Sequence, residues 1–344
     1  MHVPNVARHA KFWDVRSVTA SFDTVIREHV GLSGATLRRC QLATALVSLV
    51  AITCVASLAH AQAPCEDLGT DCPEAANPES ARGVGLGTGV RASAMSTSAL
   101  MYSPAALAIG SLYHIEGQVD YISQAQGVAL GAAVVDSATT RLGAGVGLRG
   151  FISGDDGWSG LDGRLGLAYP LSDAFSVGLG GRYILLSQEF VDEDGERYSS
   201  DLAKGITMDG SIRIAPGSGL QIDLAALNFI DRDSPYVPVT LVAAVAFAVD
   251  ESLAMGVDLL TDVSTFDKPQ FIVGGGGEFL AGGAVPLRGG YAFDTGRKIH
   301  MVSGGIGYTD RQIGLDISLR QQVATASGRD KETRVMGAFR YFVQ

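Results

Sequence analysis

From Leu112 to Val343 apolar and polar residues alternate with a period of two, stretch after stretch. In Leu112–Ser123, Ile115, Gly117, Val119 and Tyr121 share one face of an extended chain, and His114, Glu116, Gln118 and Asp120 share the other. Side chains alternate along a strand, so such a stretch is an apolar wall backed by a polar one. Both a soluble sheet and a membrane barrel produce this pattern, the barrel with its apolar face in lipid and its polar face in a wet lumen. Further stretches follow at Gly127–Asp136, Arg141–Ile152, Leu161–Tyr169, Phe175–Leu185, Ile206–Ile214, Gln221–Ile230 and Pro238–Val249. The series ends with Leu253–Leu260, Gln270–Phe279, Val285–Phe293, Ile299–Tyr308, Gln312–Val323 and Arg334–Val343, about fourteen candidate strands in all.

The connections separate the two architectures. SATT, PLSD, APGS, VDES, LAGG and TDRQ are short turns. They alternate with longer, more charged segments such as SGDDGWSG, SQEFVDEDGERYSSD, DRDSPYVP and TDVSTFDKP. Only the first connection, SQAQ, is short where a long one is due. An outer-membrane barrel has short periplasmic turns and long outer loops, whereas a soluble sandwich has no reason to lengthen every second connection. The expected fold class is therefore all-β: a transmembrane antiparallel barrel with both chain ends on the short-turn side. Glu116, Asp120, Asp162, Arg164, Asp209, Arg213, Asp223, Asp258, Glu278, Arg288, Asp316, Arg320, Arg334 and Arg340 all fall opposite the apolar stripe. An Arg or Lys facing lipid at mid-membrane costs on the order of 2–4 kcal/mol, which explains that exclusion. Taken singly, each charge is read as hydrating the lumen rather than as a member of an ion-pair network. The 44 glycines argue the same way. They cost about 1 kcal/mol each inside helices, but suit sheets that curve or crowd another backbone.

Upstream, Arg38 and Arg39 precede the uncharged apolar run Leu42–Leu58 and the small residues of Ala59-His60-Ala61. This reads as an export signal cleaved between Ala61 and Gln62. An uncleaved anchor is the alternative, disfavoured because no second apolar helix follows. Residues 1–36 are an odd prefix, read as an extension ahead of a true start near Val30 or Leu32. The expected segments are thus 1–36 extension, 37–61 signal peptide, 62–82 periplasmic linker, 83–110 plug and 111–344 barrel. Within the linker, CEDLGTDC is read as a local disulfide, Cys65 to Cys72, in an oxidising compartment.

The segment Gly83–Gly110 is rich in small residues and nearly uncharged. Its GVGLGTG lacks the strand–turn–helix and later acid of a dinucleotide site. PVTLVAAVAFAV, Pro238–Val249, is apolar on both faces; it is read as packing on the folded-in N-terminal segment, with a dry ligand patch as the alternative. A net charge of −10 excludes nucleic acid as a partner. No nucleophile motif accompanies His114 or His300, which become neighbours only if barrel closure brings them together. VDEDGER, Val191–Arg197, lacks the later bidentate Glu of a calcium loop and is read as a solvated outer loop. Neither an enzyme nor a cofactor or metal site is expected.

SALMYSPAALA, Ser98–Ala108, followed at once by a strand and then by the rest of the barrel, resembles FadL-type long-chain fatty-acid transporters and the related PorV-type outer-membrane proteins. The hairpin LSDAFSVGLGGRY and the ending GAFRYFVQ are similar to that class. The resemblance implies an N-terminal hatch inside the barrel, with Ser103-Pro104-Ala105 standing where the family carries Asn-Pro-Ala. It implies an outer-membrane protein in contact with lipid that passes a hydrophobic small molecule, or else a PorV-like scaffold for protein secretion. Phe339, Tyr341 and Val343 alternate outward as signals for the barrel-assembly machinery do, although Gln344 stands last.

Overall fold

The computed structural model describes residues 75–110, 112–123, 127–153, 158–192, 194–217, 219–325 and 331–343. The extension, the signal with Ala61 and Gln62, the cysteines Cys65 and Cys72, and Gln344 lie outside the described residues. Fourteen antiparallel strands form one closed barrel. They are β1 (Tyr113–Ile122), β2 (Gly127–Asp136), β3 (Gly143–Ser153), β4 (Trp158–Ser172), β5 (Phe175–Val191), β6 (Arg197–Gly217) and β7 (Leu220–Leu227). β8 (Thr240–Ala248), β9 (Leu253–Asp262), β10 (Gln270–Ala281), β11 (Val285–Asp294), β12 (Ile299–Thr309), β13 (Ile313–Ala324) and β14 (Thr333–Val343) complete it. Each strand pairs with its sequence neighbours, and β1 closes on β14 from Tyr113↔Val343 to Ile122↔Arg334. This is the fold class expected from the alternation.

The barrel is apolar outside and polar inside. Ile115, Val119 and Tyr121 of β1 are exposed outward, while His114, Glu116, Gln118 and Asp120 are buried within. Exposed aromatics mark two outer belts: Tyr113, Tyr169, Phe247, Phe279, Tyr308 and Tyr341 toward the short turns, and Tyr121, Tyr183, Phe271 and Tyr291 toward the long loops. Amphipathic rings settle at membrane–water boundaries, so the belts bracket a lipid-facing band.

Three readings are corrected. The segment Ser187–Asp201, taken for a loop, is mostly strand: β5 and β6 stay paired to Val191↔Arg197. The cross-strand pair Phe190–Tyr198 stacks there at 5.5 Å, an aromatic contact that favours the ladder over a loop. Likewise β7 stops at Leu227 rather than Ile230. Asn228 turns left-handed (φ 52°) and gives its N–H to Asp209 Oδ1 at 2.7 Å instead of to the sheet. Finally, closure does not make His114 and His300 neighbours, since β13 and β14 separate their strands. His300 stacks on Phe293 at 4.4 Å and meets the hydroxyl of outward-facing Tyr291 at 2.5 Å.

Candidate functional site

Inside the barrel lies the chain's own N-terminal segment. It descends from Ala76, whose N–H donates to Tyr236 O in the β7–β8 connection (2.8 Å), to Gly110 beside the short turns. Its short elements are α1 (Ala81–Gly85), α2 (Ser96–Tyr102) and a 3-10 turn over Pro104–Ala108. Ser80 caps α1 by accepting from Gly83 N at 3.1 Å, and its own N–H is donated to the Tyr102 hydroxyl at 2.9 Å. These local bonds stabilise helices far too short to persist alone. Pro104 starts the 3-10 turn, where its missing N–H costs nothing. Residues 75–82, expected in a periplasmic linker, therefore sit within the lumen, with Ala76 and Ser80 buried.

Glycines of the wall let this plug touch it backbone to backbone. A Cβ at Gly178 would stand 2.2 Å from Ala105 N. At Gly276 it would stand 2.3 Å from Leu86 O, and at Gly256 2.4 Å from Gly89 O. The abundance of glycine thus reflects close approach of a second backbone at these inward positions.

Ion pairs tie the plug to the wall, contrary to the reading that each charge only hydrates the lumen. Arg82 donates to Glu278 at 3.1 Å through both Nε and Nη2, and to Ser93 O at 3.1 Å. Glu278 also accepts from Arg288 at 2.5 Å, and Arg288 reaches Asp316 at 2.5 Å. Glu79 sits between Arg320 (2.9 Å) and Arg334. Burial alone would raise the Glu79 carboxyl, but these two guanidiniums outweigh it and hold it below the usual carboxylate range. Burial, reinforced by the Glu79 charge, pushes the Tyr102 phenol up to about 12, so it stays a neutral hydrogen-bonding group. Asp258 accepts from the N–H groups of Val90 and Arg91, both at 3.2 Å. Arg182 donates to Ala76 O at 2.9 Å, Asn77 Oδ1 at 3.0 Å, Asn228 Oδ1 at 3.1 Å and Asp162.

Of the sequence-selected residues, the hatch triplet docks on β5–β7. Ser103 donates to Asp223, Ala105 N donates to Ser211 Oγ at 2.7 Å, and Ser176 donates to Ala105 O at 2.9 Å. His114 meets Ser96, a non-glycine residue held at φ 52°, and Glu116 accepts from Thr97 at 2.8 Å. Asp120 accepts from Arg334 Nε at 3.0 Å and from Arg149, while Gln118 Oε1 has no partner among the described residues. The apolar inner face of β8 is packed as expected, Val242, Ala244 and Ala246 clustering with Ala92 of the plug. Sequence reasoning missed Glu79, Arg82 and Arg91. As sparse charges in a small-residue segment, they were the available signal.

Two apolar clusters flank this polar framework. One, near the long loops, joins Ala76, Phe151, Ile184, Leu186 and Val237, with Trp158 and Tyr236 packed edge to face at 5.2 Å. The other joins Leu100, Met101 and Leu107 of the plug to Ala133, Val135 and Ala168 of the wall.

No family profile and no curated protein matches the sequence. Solved structures do. The toluene transporter TbuX of Ralstonia pickettii aligns at 13% identity and a TM-score of 0.57, over 78% of this chain and 99% of that one. The toluene transporter TodX of Pseudomonas putida and a FadL homologue of Pseudomonas aeruginosa each align at 11% identity and a TM-score of 0.55, with the same coverage. The chain accordingly has the fold of the FadL-type outer-membrane barrels, fourteen strands closed around an N-terminal plug.

Proposed function

We propose that this protein passes hydrophobic small molecules, long-chain fatty acids or single-ring hydrocarbons among them, across the outer membrane. The observation that carries the reading is a lumen stoppered by the chain's own segment rather than filled by wall side chains. A plug held by discrete contacts can shift and reseal, whereas a packed core cannot. The Trp158–Tyr236 cluster offers an apolar landing place at the outer mouth, and Tyr236 O holds the plug at Ala76. Ser103-Pro104-Ala105 serves as the hatch anchor. We further propose export by the signal ending at Ala61, a mature chain that starts at Gln62, and a pairing of Cys65 with Cys72, all outside the described residues. TbuX and TodX are toluene transporters, which supports the hydrophobic class without choosing within it.

The test is uptake of labelled oleate and labelled toluene by cells lacking the gene and by cells with it restored. Loss on deletion and recovery on restoration of either solute supports transport. Unchanged uptake of both refutes it, and a secreted protein co-purifying in that case would support the scaffold reading.

A further inference from the structure

The inward arginines of the strands are matched to carboxylates. Arg149 and Arg334 share Asp120, Arg164 and Arg182 share Asp162, and Arg288 and Arg340 share Asp316. Arg213 of β6 is the exception among the described residues. Asp223 stands opposite it in the β6–β7 ladder, yet the two make no ion pair. Asp223 is turned to the Ser103 hydroxyl, and Arg213 donates from Nη1 to Ala94 O at 2.8 Å. Arg213 is only 2% exposed, and its Nε has no partner among the described residues. A buried guanidinium without a counter-charge is unfavourable, so this group calls for an anion that the chain does not supply.

Arg213 lines a recess of about 720 Å³ that opens at the short-turn end, between Ala108–Gly110 of the plug, the turn Ser137–Arg141 and the start of β5. Arg141 borders the same recess from the β2–β3 turn, exposed and without an ion pair among the described residues. The acid in the lining is Asp173, exposed on the β4–β5 turn, so two guanidiniums face one carboxylate. Hydroxyls of Thr139 and Ser172 make the rest of the lining mainly polar, with Phe175 as an apolar flank. This positive recess is local in a chain of net charge −10, and the β8–β9 turn on the same end carries Asp250 and Glu251 with no cation. A second cavity at this end, about 360 Å³, also has guanidiniums in its lining, but there Arg82 and Arg288 are neutralised by Glu278 and Arg340 by Asp316.

We propose that the larger recess binds a small oxyanion, a phosphate or a carboxylate, arriving from the short-turn side, with Arg213 as its buried partner and Arg141 as its exposed one. Guanidinium N–H groups pair with either oxyanion through charge-assisted bonds, which are stronger than neutral ones. The volume falls in the range of small-molecule sites. A polar lining suits a hydrophilic anion and not a hydrocarbon, so the site is separate from the transported class and does not rest on the transport reading. An anion held there touches plug and wall together, because Arg213 also holds Ala94 O and Ala108–Gly110 form one side of the recess.

The test is equilibrium dialysis of the purified protein in detergent at low ionic strength, against radiolabelled inorganic phosphate and, separately, radiolabelled succinate. Saturable retention of at least one of them is expected, and the one retained identifies the oxyanion. Arg213→Gln should abolish retention, and Arg141→Gln should weaken it about tenfold, the value of one charge-assisted bond. Arg311→Gln, on the exposed β12–β13 turn outside the recess, should leave it unchanged. Arg141 is exposed, so its variant keeps the heat-dependent gel shift of the barrel. If Arg213→Gln lowers that shift, Arg141→Gln decides the matter alone. Retention of neither anion, an affinity unchanged by Arg141→Gln, or an equal loss with Arg311→Gln overturns the site.

Discussion

On the β9–β14 side of the lumen, the plug is held by guanidinium–carboxylate pairs: Arg82 on Glu278, Arg91 near Asp258, Glu79 on Arg320 and Arg334. Toward β2–β4, in the half nearer the short turns, it is held by Leu100 and Leu107 lying on glycine, alanine and Val135, with one long bond of 3.4 Å from Arg164 Nη1 to Met101 O. Ionic contacts in a shielded lumen are directional and lose most of their value once broken, because each leaves a buried charge unpaired. Apolar contacts on a smooth strip are non-directional, so one hydrocarbon can replace another at little net cost. The difference teaches that the plug has a fixed side and a yielding side.

Substitutions can break that comparison. The largest expected effect is Asp120→Ala, which leaves Arg334 and Arg149 without their shared carboxylate at the β1–β14 closure. A loss of about 4 kcal/mol is expected from breaking a buried pair, read as a lower temperature for the heat-dependent gel shift of the barrel. Leu107→Ala should cost about 3 kcal/mol of plug docking and raise basal solute leak without lowering the temperature of that shift. If it lowers the shift temperature as much as Asp120→Ala does, the yielding side is not separate from the barrel's framework. Gly276→Val should cost about 2 kcal/mol by driving a side chain into Leu86 O, read as faster tryptic cleavage at Arg82 and Arg91.

The smallest effect is on pH. The Glu79 carboxyl is held below its ordinary range, so its tether is complete above the unfolded carboxylate pKa and is lost as pH falls through the folded value. A nitroxide at position 75 should therefore gain mobility only well below about pH 4 and show no change between neutral and mildly alkaline pH. Mobility rising with alkalinity would mean that the Glu79 pairs add nothing to the Tyr236 and Arg182 contacts that also hold Ala76 and Asn77.

The barrel was legible because its signals are local. Alternation assigns a face to each residue, and the short turns recur at every second connection. The plug's grip was not, since its pairs join residues far apart in the chain, Arg82 with Glu278 and Glu79 with Arg334. Period-two reasoning says that Glu278 faces inward but not what it meets. The hairpin Ser187–Asp201 was misread because charge density suggested a loop, while cross-strand stacking of Phe190 on Tyr198 extends the ladder. Ser103-Pro104-Ala105 was found by resemblance, and its docking on Ser211 and Asp223 through serine rather than asparagine required the fold.

The account's central claim is that solute passes only when the plug moves. Ser103 and Ser211 bring their hydroxyls to 3.2 Å, so cysteines at both positions are placed to form a disulfide between plug and wall. With Cys65 and Cys72 replaced by serine, this variant is reconstituted in vesicles and its flux of labelled oleate is compared oxidised and reduced. The account predicts background flux when oxidised and recovery on reduction. Equal flux in both states would contradict it.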